Sequence, residues 1–259
     1  MVKYCLLCAF AFIPLFVSVT SLASEWKTPQ YLQQAFVEVA LRNEYDSAKH
    51  LVRKWRQPLR IWLDHRVGDE QKHTELAKMH IEHLAEITEH ELGLVSRLAQ
   101  ANVHVLFTRQ SRWMQEVSEL LGSHAIKNLH GAVCMANVNI NVSGEIDKAW
   151  IVIPVDQAQM HGKLVACVVE ELTQIMGLPN DSEHVFPSIF NDKTPQTLLS
   201  GLDGILLKML YHKDVLPGMN EDKVKQILLP ILDRWSSDGT LTHADKVIRQ
   251  GRLYPLLGY

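Results

Sequence analysis

Five oxygen-bearing side chains stand within a short stretch of the chain: Glu170, Glu171, Gln174, Asn180 and Asp181. On a helix predicted over residues 163–176, Glu170 and Gln174 are four residues apart and share one face. Gly177 then permits a turn, after which Asn180 and Asp181 could fold back toward that face. These four residues are therefore candidates to line a cleft. Their oxygens suit a hard cation better than zinc, so weak calcium or magnesium binding stays open and the identity of any metal is unknown.

The spacing resembles the long zinc-protease motif H-E-x-x-H-x-x-G-x-x-H. In that motif three histidines hold the metal, and the Glu beside the first histidine activates a water molecule. Here Glu171 and Gly177 keep their places, whereas Glu170, Gln174 and Asn180 stand at the three ligand positions. Neutral amides are weak zinc ligands, so we expect no tightly bound zinc. Without a strong Lewis acid, water is not acidified near neutral pH. Glu171 is thus a catalytic candidate only if the chain is an atypical enzyme.

The first 23 residues have the composition of a signal peptide. Lys3 gives a short positive start, residues 5–19 form an apolar run, and residues 21–23 form a small-x-small cleavage site. The apolar run is too short to be a stable membrane anchor. We therefore expect cleavage after Ala23, no transmembrane anchor in the mature chain, and a periplasmic or secreted location.

Export would leave two of the four cysteines, Cys134 and Cys167. An oxidising compartment favours one disulfide between them, with two buried free thiols as the alternative. The formal net charge of the chain is −3, and no block of basic residues is present. Nucleic acid is therefore not an expected partner.

Alternating apolar residues predict four strands, at residues 59–63, 101–108, 133–142 and 149–155. The last two are joined by a hairpin turn at residues 143–145. Helical periodicity predicts helices at residues 31–50, 70–92, 113–121, 163–176, 197–211 and 221–235. The pattern predicts an α/β fold with a mixed sheet above the motif helix, followed by a helical C-terminal part. We expect residues 149–155 to be the edge strand beside the cleft.

The predicted helix at residues 70–92 carries four histidines near one face: His73, His80, His83 and His90. Histidines at this spacing can chelate a metal. More often they form a solvated face that is partly charged near neutral pH. We favour the solvated face.

A longer pattern resembles a bacterial family of secreted proteins, domain-of-unknown-function family 2927. The pattern is carried by residues 53–55, 58–60, 101–103, 134, 144–146, 151–154, 167–182, 188–192, 210–211 and 217–219. The resemblance covers residues 52–219 and implies a zincin-like, metzincin-like fold with a degenerate zinc motif. Ile189 stands where metzincins carry the Met of a tight turn, and residues 203–211 resemble their closing helix. The resemblance implies no reaction.

The predicted organisation has four segments. They are a signal peptide at residues 1–23, an N-terminal helical segment at 24–51, a zincin-like domain at 52–219 and a C-terminal helical extension at 220–259.

Three functions are compatible with these features. The first is a non-catalytic cleft that binds a peptide or an envelope partner, and the second is an atypical metal-dependent hydrolase or peptidase with Glu171 as the base. The third is a structural envelope protein. We favour the first, in which Glu171 is structural and its carboxylate accepts hydrogen bonds from backbone groups or from Asn180 or Ser182.

The first prediction concerns zinc. The purified mature protein is expected to hold no stoichiometric zinc after dialysis, because the ligand positions offer neither imidazole nor thiolate. Metal analysis by mass spectrometry measures this directly. Zinc that survives dialysis and disappears in Glu170→Ala would contradict the prediction and the preference for a non-catalytic cleft.

Overall fold

The computed structural model describes residues 22–42, 50–129 and 131–259. The predicted signal peptide lies outside the described residues except for its last two positions. Within the described ranges, none of the helices is both long and apolar enough to cross a membrane.

Strands β1 to β6 form one mixed sheet in the described part of the chain. They are β1 (Lys54–Trp55), β2 (Leu59–His65), β3 (Leu92–Leu94), β4 (Val103–Thr108), β5 (Met135–Ile140) and β6 (Glu145–Pro154). The order is β5-β6-β4-β2-β3, and the short β1 pairs with the first residues of β6. The pairing of β5 with β6 is antiparallel, and the other strand pairings are parallel. The predicted α/β class and mixed sheet are confirmed.

The edge strand differs from the prediction, which placed residues 149–155 at the edge. In the structure residues 149–154 belong to β6, which pairs with β4 on one side and with β5 on the other, and Val155 begins the next helix. The edge strand is therefore β5. Alternation along the chain identifies two strands of a hairpin, but which of them faces a third strand depends on long-range pairing.

Nine α-helices are present in the described residues. They are α1 (Pro29–Phe36), α2 (Glu70–Thr88), α3 (Trp113–Leu121), α4 (Val155–Met160), α5 (Leu164–Gln174), α6 (Gly201–Tyr211), α7 (Glu221–Ser237), α8 (Thr240–Ile248) and α9 (Leu253–Leu256). A π-helical turn, Val37–Leu41, extends α1. The predicted helix at residues 31–50 thus ends early, and residues 43–49 of it lie outside the described residues. The motif helix is α5, as predicted.

Helix α2 also ends before the predicted residue 92. Thr88 turns its hydroxyl back to the carbonyl of Leu84, at 2.7 Å, and Glu89 adopts a left-handed conformation with φ 53°. The next residues leave the helix and form β3, where Leu92 pairs with Leu59 of β2. Pairing with a neighbouring strand overrides the local helical pattern here.

One large hydrophobic core unites the three predicted segments after the signal peptide. Phe36 from the first, Phe190 from the second and Leu232 from the third all belong to it. A smaller cluster, including Leu106 and Trp113, lies where α3 covers β4 and β6. Both faces of β4 are therefore covered, which explains why every residue of that strand is buried.

The histidine face of α2 is part of the core, so the favoured interpretation of a solvated face was wrong. His73, His80 and His83 are 0%, 1% and 7% exposed. The Nε2 of His80 lies 3.0 Å from the hydroxyl of Thr173 on α5. Burial lowers the pKa of His80 to about 3 and the pKa of His83 to about 4. Helical spacing shows that the histidines share a face but does not show what covers it.

The C-terminal end of α5 is held by side chains from distant parts of the chain. Trp55 Nε1 donates to the carbonyl of Ile175 at 2.7 Å, and the Tyr211 hydroxyl donates to the carbonyl of Met176 at 2.9 Å. Gly177 follows with φ 117°, and a Cβ at this position would lie 2.0 Å from the carbonyl oxygen of Arg53. The backbone at the end of α5 thus packs directly against the backbone of the residue before β1.

The second prediction uses this contact. Gly177→Ala is expected to lower the free energy of unfolding by on the order of 3 kcal/mol, because the new methyl group meets backbone that cannot rotate away and the residue stays at positive φ. Urea denaturation measures the loss.

Gly162→Ala is the matched control. Gly162 also has a positive φ, but a Cβ there meets nothing within 4 Å. Its loss should be about 1 kcal/mol, which is the conformational cost alone. Equal losses in the two variants would show that the approach of Arg53 does not constrain Gly177.

Candidate functional site

A cleft of about 580 Å³ lies between the edge strand β5 and helix α5. Its β5 side includes Ala136, Asn137 and Val138, and α5 contributes residues along its length. A third side comes from the chain that follows α5. The residues of that side are Pro179, Asp181, Ile189, Asn191, Asp192 and Pro195.

The cleft collects most of the residues that the sequence singled out. Glu170, Glu171, Gln174 and Asp181 all line it. The amide of Gln174 donates to Asp181 Oδ1 at 3.5 Å, which links the helix to the chain after the turn. Asn180 is not among the lining residues, because its Nδ2 donates to the carbonyls of Glu38, at 3.0 Å, and of Asp181, at 2.9 Å.

The geometry does not assemble a conventional metal site. Within residues 22–42, 50–129 and 131–259, no three His, Cys, Asp or Glu side chains are placed to hold one metal ion. Two of the candidate ligands, Gln174 and Asn180, carry neutral amides that already donate hydrogen bonds to other groups of the protein. The expectations about zinc, calcium and magnesium stay predictions.

The predicted disulfide is confirmed. Cys134 and Cys167 are bonded, with their α-carbons 5.9 Å apart. The bond ties the residue before β5 to the first half of α5, and both cysteines line the cleft. A closed loop of this length stabilises a fold by about 3–4 kcal/mol in the chain-entropy model. It also fixes the separation of the cleft's two long sides at one end.

Glu171 is the most unusual group in the cleft. It is 4% exposed, and its Oε2 is buried with no hydrogen-bond partner in the described residues. Burial raises the pKa of this carboxyl well above its ordinary value, and the nearby carboxylates of Glu170 and Asp181 raise it further. All three causes disfavour a negative charge on Glu171.

The expected partners of Glu171 are bound elsewhere, so the prediction that Asn180 or Ser182 donates to it was wrong. The Ser182 hydroxyl donates to the carboxylate of Glu38, and Asn180 donates to the Glu38 carbonyl. Glu38 lies in the turn that extends α1, more than a hundred residues away in sequence. The folded position of that N-terminal turn therefore determines which groups Asn180 and Ser182 bind. No local sequence pattern around Glu171 indicates that position.

Two buried polar residues that were not site candidates position the third side of the cleft. Asp203 accepts hydrogen bonds from the Ser188 hydroxyl at 2.5 Å, from the Ile189 N–H at 3.2 Å and from the Ser200 N–H at 2.7 Å. Burial raises the pKa of Asp203 to about 6, although these hydrogen bonds act in the opposite direction. The other residue, Asn191, bridges the loop by donating to the Val185 carbonyl.

A sequence signal for Asp203 existed. Ser200 and Asp203 form a capping box at the start of α6, in which each side chain bonds the other residue's backbone N–H. The same carboxylate reaches back to the loop, which only the tertiary structure shows.

Comparison with known proteins finds one family. The model of a family described as "Protein of unknown function (DUF2927)" matches residues 29–229, which is more than half of the chain. No curated protein and no solved structure matches the chain.

The third prediction concerns the stability cost of Glu171. The unfolded chain releases the Glu171 proton near the ordinary pKa of 4.5, whereas the folded protein keeps it to a higher pH. The free energy of unfolding therefore falls as pH rises above 4.5, by at most about 1.4 kcal/mol per pH unit. Glu171→Gln lacks this loss, so it should exceed the parent in stability by about 1–3 kcal/mol near neutral pH.

Denaturant titrations between about pH 4 and neutral pH test whether the free energy of unfolding falls as pH rises. The advantage of Glu171→Gln should shrink toward pH 4, where Glu171 of the parent is largely protonated in both the folded and the unfolded state. Glu86→Gln, at an exposed position of α2, is the matched control and should show no comparable gain. An advantage of Glu171→Gln that is the same at every pH would contradict a neutral Glu171.

Proposed function

We propose a function from the cleft itself, because the chain belongs to the DUF2927 family and that family is described only as a protein of unknown function. The protein is an exported, zincin-like protein with a degenerate metalloprotease-like cleft. The cleft binds an extended peptide, or an extended segment of an envelope partner, and does not hydrolyse it.

The observation that carries this proposal is the position of β5. In the described residues β5 pairs only with β6, and its residues line the cleft across from α5. At an edge strand every second residue directs its N–H and C=O away from the sheet. An extended peptide can therefore add to β5 as a further strand, with its side chains entering the cleft.

The zincin-like assignment has support in the arrangement of the elements. The motif helix α5 lies beneath a mixed sheet whose antiparallel edge strand borders the cleft. Gly177 ends the motif at the expected spacing, and the segment with Ile189 returns to line the cleft. Helix α6, at the place of the closing helix, holds that segment through Asp203.

The state of Glu171 supports binding over hydrolysis. A general base must be ionised to accept a proton. Burial and two neighbouring carboxylates raise the pKa of Glu171 and so disfavour its ionised form. The same feature weakens the alternative of an atypical hydrolase in which Glu171 is the base.

Export is part of the proposal and rests on residues 1–23. Their composition is that of a signal peptide cleaved after Ala23. The disulfide between Cys134 and Cys167 suits an oxidising compartment, such as a periplasm or the cell exterior.

The fourth prediction tests peptide binding at β5. The probes are bead-bound heptapeptide libraries, randomised at every position except a central one fixed as lysine, norleucine or glutamate. The mature protein is expected to retain members of at least one library. Hydrogen exchange should then slow in Met135–Ile140 and stay unchanged in Leu92–Leu94, a strand at the opposite edge of the sheet.

A pair of proline variants sharpens this test. Neighbouring residues of β5 direct their N–H groups in opposite directions, so Asn137→Pro and Val138→Pro are not equivalent. One should lose peptide binding while keeping its melting temperature, and the other should lose pairing with β6 and stability. Peptide cleavage that disappears in Glu171→Gln would instead establish the hydrolase. Failure to retain any library would favour a structural envelope protein.

A further inference from the structure

The charged groups of the cleft are unevenly distributed. Lys163 lies at the start of α5, whereas the acidic side chains lie along its second half and on the chain that follows. The charged residues lining the cleft are Arg53, Lys163, Glu170, Glu171, Asp181 and Asp192. Strand β5 contributes none of them, since Met135–Ile140 contains no ionisable side chain.

We infer that the cleft selects peptides that carry a lysine or arginine side chain and that Glu171 receives this cation, an inference that rests on the proposed peptide binding. The first support is the unpartnered Oε2 of Glu171. A buried carboxyl oxygen without a hydrogen bond is costly and uncommon in folded proteins. Because Glu171 also lines the cleft, a ligand can supply the missing partner.

The second support is the sign of the local field. Glu170 and Asp181 act on Glu171 as negative charges, and both oppose its ionisation. Arg53 lines the cleft as well, but it does not reverse this effect. An anionic ligand group would add a further negative charge at this point, whereas an ammonium or guanidinium group is attracted by the carboxylates of Glu170 and Asp181.

The third support is that a long side chain of a bound peptide can extend from β5 to Glu171. Side chains of a strand alternate between its two faces, so about half of those on a peptide added to β5 point toward α5. Ala136 and Val138 mark that face, because both pack against the core that contains α5. Glu171 is 4% exposed and lies deep. A lysine or arginine can lay its methylene stem along apolar lining residues such as Val138 and Ile189 and place its charge at the carboxyl.

Binding of this kind moves one proton. The neutral carboxyl of Glu171 loses its proton to the buffer, and the carboxylate then pairs with the peptide cation, which keeps its own protons. No covalent bond forms or breaks in the peptide. The affinity for a lysine peptide should therefore rise with pH, by up to about tenfold per pH unit, until Glu171 is ionised in the free protein.

Other ionisable groups line the cleft or contact α5 in the described part of the chain. They are Lys163 at the start of α5, Glu170 on α5, Asp181 and Asp192 on the following chain, Arg53 before β1, and His80, which contacts Thr173 from α2. Burial lowers the pKa of His80 to about 3, so it stays neutral from about pH 5 upward. The substitution Glu171→Gln distinguishes the contribution of Glu171 to the pH dependence from the contributions of the other groups.

The fifth prediction uses the three heptapeptide libraries and full-length mature protein. At about pH 8 the lysine library should be retained at least tenfold better than the norleucine library, and the glutamate library least. This preference should fall toward about pH 5. Calorimetry with one retained lysine peptide, in two buffers of different ionisation enthalpy, should show a net release of protons on binding.

Two variants decide the outcome. Glu171→Gln keeps the shape and should lose both the proton release and most of the preference for lysine, while it still retains the norleucine library. Glu86→Gln should behave as the parent. Equal retention of lysine and norleucine libraries, or unchanged proton release in Glu171→Gln, would overturn this inference but leave the peptide-binding proposal standing. Retention of no library would overturn both.

Discussion

The carbonyl groups at the end of α5 accept hydrogen bonds from Trp55 and Tyr211, which stand on β1 and α6. The buried side chain of Lys54 adds contacts between β1 and the end of α6. It donates to the carbonyls of Leu210 and Val215 at 2.7 and 3.0 Å, and burial lowers its pKa to about 8. These contacts satisfy helix-end carbonyls that would otherwise be unpaired. They also hold the sheet, α5 and α6 in one arrangement, which positions the turn at Gly177 and the third side of the cleft.

Each side of the cleft is then secured separately. The disulfide fixes the start of β5 to α5, and Asp203 fixes the loop with Ser188 and Ile189 to α6. Within this frame, Oε2 of Glu171 is a buried oxygen of a cleft residue that has no hydrogen-bond partner among the described residues. Buried groups that cost stability and lack a structural partner are concentrated at functional sites. Glu171 and the edge of β5 that is unpaired in the described residues are therefore the features that support the proposed function.

Local sequence patterns correctly predicted those helices and hairpins whose formation depends mainly on neighbouring residues. Helix α3 and the motif helix follow from periodicity, and the β5–β6 hairpin follows from alternation around Gly144, which has a positive φ. Pairing of Cys134 with Cys167 follows from cysteine arithmetic once export is assumed. The failures occurred where distant segments meet. They concern the edge strand, the end of α2 at Thr88, and the buried histidines of that helix.

The sequence by itself determined that Glu170, Glu171, Gln174 and Asp181 meet at the cleft, since a helix and a glycine turn bring together groups that are close in the chain. It also determined the α/β class, through the alternation of two hydrophobic periods. Only the tertiary structure decided the chemical state of the site. Glu38, from the N-terminal turn, binds the donors expected for Glu171. Hydrogen-bond partners and burial depend on contacts across the whole chain, so the protonation of a buried carboxyl cannot be read from its neighbours in sequence.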